Sequence, residues 1–381
     1  MLFFSTQKLF STLIFIASFF NPYSGIGGLC ATVIAIVCAY ALGFSREQIK
    51  TGLYTYSALL LGLAMGTFYE LNTAFWILLF LASIISVLLA AVLIDKLGKR
   101  GLPALSLAFV FTLWIVILAS SQFTAIGITQ RNIYWLNEMY QAGGSSLVSF
   151  TQQIENIPLP DVMAGFFHSL GAVVFQNTIA AGILLTAGLL FYSRIALLLM
   201  VFGYATALVF IKLMGGDAGS MNYYNLGTNF MLVSLALGGF YIIPSLRSFL
   251  WILITVPISF LLIAGIGKIT NTWGLPVFAL PFCFTVILFL YCLQLRTAKG
   301  KLVLTPVQYF SPEENLYRYS NGRERWMNNV YHHLQLPVMG EWMVSQGYNG
   351  SVTHKGDWGK ALDFVLLDDE MKTYRPPATL P

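Results

Sequence analysis

Residues 74–94 carry no charged side chain, and a run of that length, wound as a helix, can cross the roughly 30 Å hydrocarbon core of a bilayer. Similar apolar runs lie at 9–20, 26–44, 52–68, 102–120, 162–192, 195–213, 226–243, 249–266 and 275–295. With 57% hydrophobic and only 10% charged residues, the chain has too little polar surface for a soluble domain. The expected class is therefore an all-α membrane protein. The run at 9–20 is short for a span, whereas 162–192 is long enough to hold a re-entrant half-helix ahead of its spanning helix.

Positive charge predicts the orientation, because cytoplasmic loops collect Lys and Arg. Taking alternate gaps between runs puts Arg46, Lys50, Lys96, Lys99, Arg100, Arg194, Arg247, Arg296, Lys299 and Lys301 on one side, and Arg131, Lys212 and Lys268 on the other. That asymmetry predicts ten crossings, with the N-terminus and the C-terminal part in the cytoplasm and a bacterial inner membrane as the location. No small-residue cleavage site follows the first apolar run, so a secretory signal peptide is not expected. Composition changes near Leu302: residues 1–301 hold 14 Lys and Arg against 7 Asp and Glu, and residues 302–381 hold 7 against 9. The basic balance thus belongs to the loops and gives no reason to expect nucleic acid as a partner. Cys30, Cys38, Cys283 and Cys292 all sit in apolar runs, without metal-ligand spacing, and read as small buried hydrophobes.

The chain also repeats itself. "GLPALSLAFVFT" from Gly101 and "GLPVFALPFCFT" from Gly274 agree at seven of twelve positions. Nearly the same offset sets "YTYSALLLGLAMG" at Tyr54 against "LGTNFMLVSLALGG" at Leu226, pairing Ser57 with Asn229 and Leu60 with Leu232, and sets "MLFFST" at Met1 against "AVVFQN" at Ala172. Two halves of five runs each, 1–150 and 151–300, must enter the membrane from opposite sides because five is odd. Inverted repeats of this kind place a pathway at the interface of the halves, near the midplane. The charged groups are read as lying at the ends of the runs, with no Asp, Glu, Lys, Arg or His well inside any of them, which argues against ion coupling and for passive movement of a neutral solute. The polar groups inside the runs are Ser57, Ser106, Thr112, Gln176, Asn177, Asn229 and Thr285. Each is able to bond a passing solute or a neighbouring helix.

"LPALSLAF" at Leu102 and "LPVFALPF" at Leu275 resemble the doubled Leu-Pro-x-x-Thr-x-Pro-Phe signature of urea transporters, and "FFNPYSGIGGL" at Phe19 and the run at Asn229 fit the same family. The resemblance covers nearly all of residues 1–300. It implies a channel-like facilitator for urea or a similar small neutral solute, a homotrimer with one pore per subunit, and no cofactor. In that family each half supplies a Gln or Glu, a following aliphatic residue and a Phe that form a slot for the flat solute. Leu2 and Phe4 match in the first half, Val173 and Phe175 in the second. Met1 and Ala172 stand where the family has Gln or Glu, and the signature Thr is Ser106 in one copy and Ala279 in the other. The family usually begins further upstream, so the first-half residue can lie before Met1. Gln176, one turn beyond Ala172, either reaches the same site or bridges helices.

Residues 301–334 read as a linker. From 335 to 381, apolar and polar residues alternate between Gly turns, which predicts a short β-rich module. This stretch resembles the opening of lysostaphin-like zinc metallopeptidases, and the resemblance implies His354 and Asp363 as metal ligands, with zinc in a complete module. A third ligand from a His-x-His motif is missing. The alternative function is therefore a membrane-anchored metallopeptidase or sensor, with the transporter-like unit as anchor. His332 and His333 read as surface residues. "RNIYWLNEMYQ" puts Ile133, Trp135, Leu136 and Tyr140 on one helical face, as expected of a helix lying on the outer membrane surface, and "GGSS" at Gly143 marks a turn.

Overall fold

The computed structural model describes residues 2–5, 7–129, 135–216, 226–297, 302–305, 310–321, 342–368 and 371–373. Met1, the side chain of Leu2, Ile133, the side chains of Trp135 and Leu136, and the pair His332 and His333 lie outside the described residues. The chain divides into two compact units, Met1–Arg323 and Glu324–Pro381.

The first unit is helical. After a 3-10 turn at Leu2–Phe4 come α1 (Lys8–Ser18), α2 (Pro22–Ala41), α3 (Arg46–Lys50), α4 (Tyr56–Phe68), α5 (Thr73–Gly98) and α6 (Leu107–Ser120). Then follow α7 (Trp135–Glu155), α8 (Asp161–Gly171), a second 3-10 turn at Ala172–Val174, α9 (Ile179–Tyr192), α10 (Arg194–Leu213), α11 (Gly227–Leu235), α12 (Leu246–Asn271), α13 (Leu280–Gln294) and α14 (Pro312–Asn321). The last turn of α11 widens into a π-helical turn at Ala236–Phe240.

Ten crossings were expected, and the helices differ from that count. Among the described residues, α2, α5, α10 and α12 are long and apolar enough to cross a membrane, and α8 with α9 would make a fifth span bent by 81°. Helices α1, α4, α6, α11 with its π turn, and α13 are apolar but have only 10–17 residues. At about 1.5 Å per residue such helices fall short of the hydrocarbon thickness. Backbone signals divide runs that hydropathy leaves whole. Asn21 caps α2, its Oδ1 accepting from the amides of Tyr23 (3.1 Å) and Ser24 (3.3 Å), and Pro22 opens the helix where no amide is needed. Helix α7 passes through "GGSS" with a break at Gly144 (φ 67°).

Local features recur at a constant spacing. Asn21 and Ser193 both cap long helices, as do Asn72 and Ser245. Phe4 (φ 58°) and Phe175 (φ 60°) are left-handed, and so are Leu105 (φ 45°) and Phe278 (φ 47°). Helices α2 and α4 approach backbone to backbone: a Cβ on Gly27 would sit 2.5 Å from the carbonyl oxygen of Gly62, and one on Gly62 would meet the carbonyl of Gly27. Only glycine permits that approach, the small-residue packing common between membrane helices.

Beyond α13 the chain does not leave the unit as a linker. Leu302, Thr305, Pro312 and Asn315 are buried in it. The second unit shows, among its described residues, one antiparallel pair, β1 (Met343–Gln346) with β2 (Asp363–Val365), irregular between Val344 and Gln346.

Candidate functional site

The sharpest turns of the fold carry phenylalanines. At the end of α8 the amide of Phe175 donates to the carbonyl of Ala172 (3.1 Å) and that of Gln176 to the carbonyl of Gly171 (3.1 Å), which reverses the chain and leaves Phe175 left-handed. A residue with a Cβ pays about 1–2 kcal/mol for that conformation, so its retention marks an over-determined position. The ring of Phe175 lies 6.0 Å from Phe68, 5.9 Å from Phe109 and 6.3 Å from Phe278. Phe109 and Phe278 are 5.7 Å apart. Two of these four rings come from each half.

Phe4 makes the second arrangement. Its ring stacks on Phe240 at 4.4 Å and 28°, and meets the edge of Tyr241 at 5.5 Å. The first half again supplies one partner and the second half the other. The two ring pairs, Phe4 with Phe240 and Phe175 with Phe68, thus correspond under the sequence offset. Leu60 is buried in the core cluster on which Phe175 and Phe278 pack, while Leu232 and Phe4 pack against the cluster that holds Phe240 and Tyr241. Val173 is buried with Leu170 and Val174 beneath the turn, and Ala172 is partly buried. A flat solute gripped between two rings needs centroids about 7 Å apart, twice a van der Waals contact. Phe4 and Phe240 touch directly, and Phe68 stands at 88° to Phe175.

The signature loops are held across the halves. Trp114 Nε1 of α6 donates to the carbonyl of Pro276 (2.8 Å), and Gln294 Nε2 of α13 donates to the carbonyl of Gly101 (3.0 Å). Asn229 Nδ2 donates to the carbonyl of Phe278 (2.9 Å) while its Oδ1 accepts from the amide of Phe282 (3.2 Å), fixing the left-handed Phe278. Its counterpart Ser57 is too short for that double bridge: its Oγ is buried and makes no hydrogen bond among the described residues. Ser106 Oγ lies 3.3 Å from Cys283 Sγ, a weak partner.

Other predicted polar residues are committed to the scaffold. Thr112 and Thr285 donate to the carbonyls of Ala108 (2.7 Å) and Pro281 (2.8 Å) in their own helices. Gln176 bridges helices: its Oε1 accepts from the amide of Asn21 (3.0 Å) and its Nε2 donates to the carbonyl of Ser18 (3.2 Å), stapling the turn between α1 and α2. The carbonyl of Asn177 lies 3.2 Å from Nδ1 of His168. His168 itself lies within the run 162–192, an ionisable group that the reading of the charged residues passed over, and its Nε2 is 3.9 Å from Glu155, whose other oxygen caps α9 at the amide of Ile179 (2.8 Å). Phe68, Phe109, Phe240, Tyr241 and Phe278 were missed in the sequence. A signal existed: Phe68-Tyr69 and Phe240-Tyr241 are the same dipeptide at the repeat spacing.

In the second unit His354 and Asp363 come together. His354 is 4% exposed, its Nδ1 lies 2.8 Å from the carbonyl of Gly347, and its Nε2 is 3.1 Å from Asp363 Oδ1. Among the described residues no group of three His, Cys, Asp or Glu side chains is placed to hold a metal ion. Two donors do not fit a zinc site, which takes at least three from the protein.

The urea transporter family profile matches residues 2–294. Over 319 aligned residues the chain is 27% identical to "Urea transporter 1" of Ovis aries, covering 80% of this chain and 77% of that protein, with the same figures for "Urea transporter 1" of Capra hircus. "Urea transporter 1" of Mus musculus is 23% identical over 321 residues, covering 81% and 78%. Nothing in these comparisons supports a lysostaphin-like domain at 335–381. With its profile spanning both signature loops and both ring pairs, the chain belongs to the urea transporter family.

Proposed function

We infer that the first unit is a passive, channel-like facilitator of urea, gripped in turn by the ring pairs Phe4–Phe240 and Phe68–Phe175. The observation that carries this reading is that each pair joins opposite halves on a left-handed phenylalanine. Aromatic faces exclude water from a planar amide while its edge stays open to hydrogen bonds. Ser57 and Ser106, the least committed to the scaffold among the polar residues predicted from the sequence, are the hydroxyls that would offer them. Val173, Leu60 and Leu232 would form the aliphatic walls. Ala172, standing for the family's Gln or Glu, would lower affinity.

The paired caps and paired left-handed residues support reading the halves as inverted repeats. The cytoplasmic side is then the one that holds the Lys- and Arg-rich loops, and the family resemblance implies a homotrimer. The slot reading is tested by Phe175→Leu in proteoliposomes, where urea and N,N′-dimethylurea fluxes are compared. Discrimination between the two should fall as the slot widens. Unchanged discrimination would remove Phe175 from the pathway.

The second reading, a membrane-anchored metallopeptidase, rests on the His354–Asp363 contact alone. It lacks a third ligand among the described residues and carries no reaction step here.

A further inference from the structure

The π turn at Ala236–Phe240 ends on Phe240, one ring of the first pair. A π turn widens the helix and leaves carbonyls without regular partners. Here three consecutive ones are taken by side chains from outside the turn. Ser248 Oγ donates to the carbonyl of Gly238 (3.0 Å), Asn315 Nδ2 reaches the carbonyl of Gly239 (3.5 Å), and Thr305 Oγ1 donates to the carbonyl of Phe240 (2.8 Å). Backbone bonds add to these: the amide of Ile243 donates to the carbonyl of Val303 (2.9 Å), and the amide of Thr305 to that of Tyr241 (3.0 Å). Pro312 lies against Gly239, 3.0 Å from where a Cβ would stand, and Glu313 Oε1 accepts from the amide of Ile195 (2.7 Å) at the start of α10. Thr305 is 7% exposed and Asn315 is 2% exposed.

The first half holds Phe68 differently. The amide of Thr129 donates to the carbonyl of Phe68 (2.9 Å), the amide of Glu70 donates to the carbonyl of Gly127 (2.9 Å), and α4 reaches Phe68 as a regular α-helix. In the second half, the side chains that satisfy the turn before Phe240 come in part from residues beyond position 294, where the family profile ends.

We propose that Thr305, with Asn315, is a positioning residue for solute selection: residues 302–305 and 310–321 act as a strap that fixes the carbonyl of Phe240 and so sets the spacing between the Phe240 and Phe4 rings. Thr305 touches no solute; it acts through the backbone of the ring that does. A shift of the turn by a fraction of an ångström changes a stacked contact of 4.4 Å appreciably, because dispersion falls steeply with distance. The proposal rests on the reading of Phe4 and Phe240 as a slot.

The test uses the full chain in proteoliposomes, with Thr305→Val, Thr305→Ser, Asn315→Leu and Phe240→Leu. Urea half-saturation, maximal flux and the ratio of urea to N-methylurea flux are measured, with flux normalised to folded protein. Thr305→Val removes the donor at nearly constant volume. It should raise urea half-saturation about fivefold, the factor associated with one lost hydrogen bond, and narrow the urea to N-methylurea ratio. Thr305→Ser should restore both, and Asn315→Leu should move both in the same direction. A merely structural strap would instead lower maximal flux for both solutes equally and leave half-saturation and the ratio unchanged, which would overturn the proposal. Phe240→Leu separates the two levels of inference: a changed ratio in Phe240→Leu with none in Thr305→Val leaves the slot standing and defeats the strap. No change in either variant defeats both.

Discussion

Ala172 and Gln176 stand on either side of the left-handed Phe175, where the chain reverses, and they have different roles. Ala172 stands where the urea transporter resemblance has Gln or Glu and is only partly buried. Ala172→Glu should therefore tighten urea binding by about 1.5–3 kcal/mol, one charge-assisted hydrogen bond before desolvation is subtracted. The half-saturation of urea flux in proteoliposomes measures this, and an unchanged value would place Ala172 away from the pathway. Gln176 is a staple, with both amide atoms bonded to the turn between α1 and α2. Gln176→Leu should lower stability by about 1–3 kcal/mol through the two backbone groups it strands, seen as a lower unfolding midpoint in detergent. If urea affinity changes while the midpoint holds, Gln176 serves the solute and not the turn. Sequence alone left Gln176 between these roles because a side-chain amide reaches either. What decides is the position of Ser18 and Asn21, far off in the chain. Phe68, Phe240 and Phe278 escaped notice for a related reason: they are three of thirty phenylalanines, and each gains its meaning from a ring in the other half.

At the scale of elements, hydropathy located the apolar runs, while among the described residues only α2, α5, α10, α12 and the bent pair α8 with α9 have the length of a span. A run such as 9–20 and the next one read as two spans because both are apolar, although α1 has 11 residues and turns at Phe19 to Asn21 before α2. Hydropathy does not register where helical hydrogen bonding stops; caps and prolines do, and Asn21-Pro22 and the two Gly-Leu-Pro loops mark such places. The glycines of "SGIGG" and "LGLAMG" name no packing partner in the sequence. The structure joins them at Gly27 and Gly62. Gly27→Ala should overpack this seam and cost about 1–3 kcal/mol, whereas Gly265→Ala in α12, whose Cβ would meet nothing within 4 Å, should be tolerated. The comparison of their unfolding midpoints checks the claim. Equal effects would mean that the α2–α4 seam yields easily.

For the molecule as a whole, the doubled signature was the most informative stretch of sequence, since it led to the family and to two halves. The boundary near 301 was less legible: charge and polarity rise there, yet residues 302–321 remain part of the first unit through Leu302, Thr305, Pro312 and Asn315. Burial of a few residues in a polar segment leaves no periodic trace. His354 and Asp363 lie beside each other as a pair. Zinc added to the full chain should accordingly bind weakly, and tight one-to-one binding by isothermal titration would mean that a third ligand exists beyond the described residues. The central claim remains passive permeation, which His168 and Glu155 make worth testing because they are ionisable groups inside the unit. The most direct measurement is the internal urea concentration of proteoliposomes under an imposed proton or sodium gradient. Urea should equilibrate to the external concentration at a rate that saturates, with or without the gradient; accumulation above the external concentration would contradict the account.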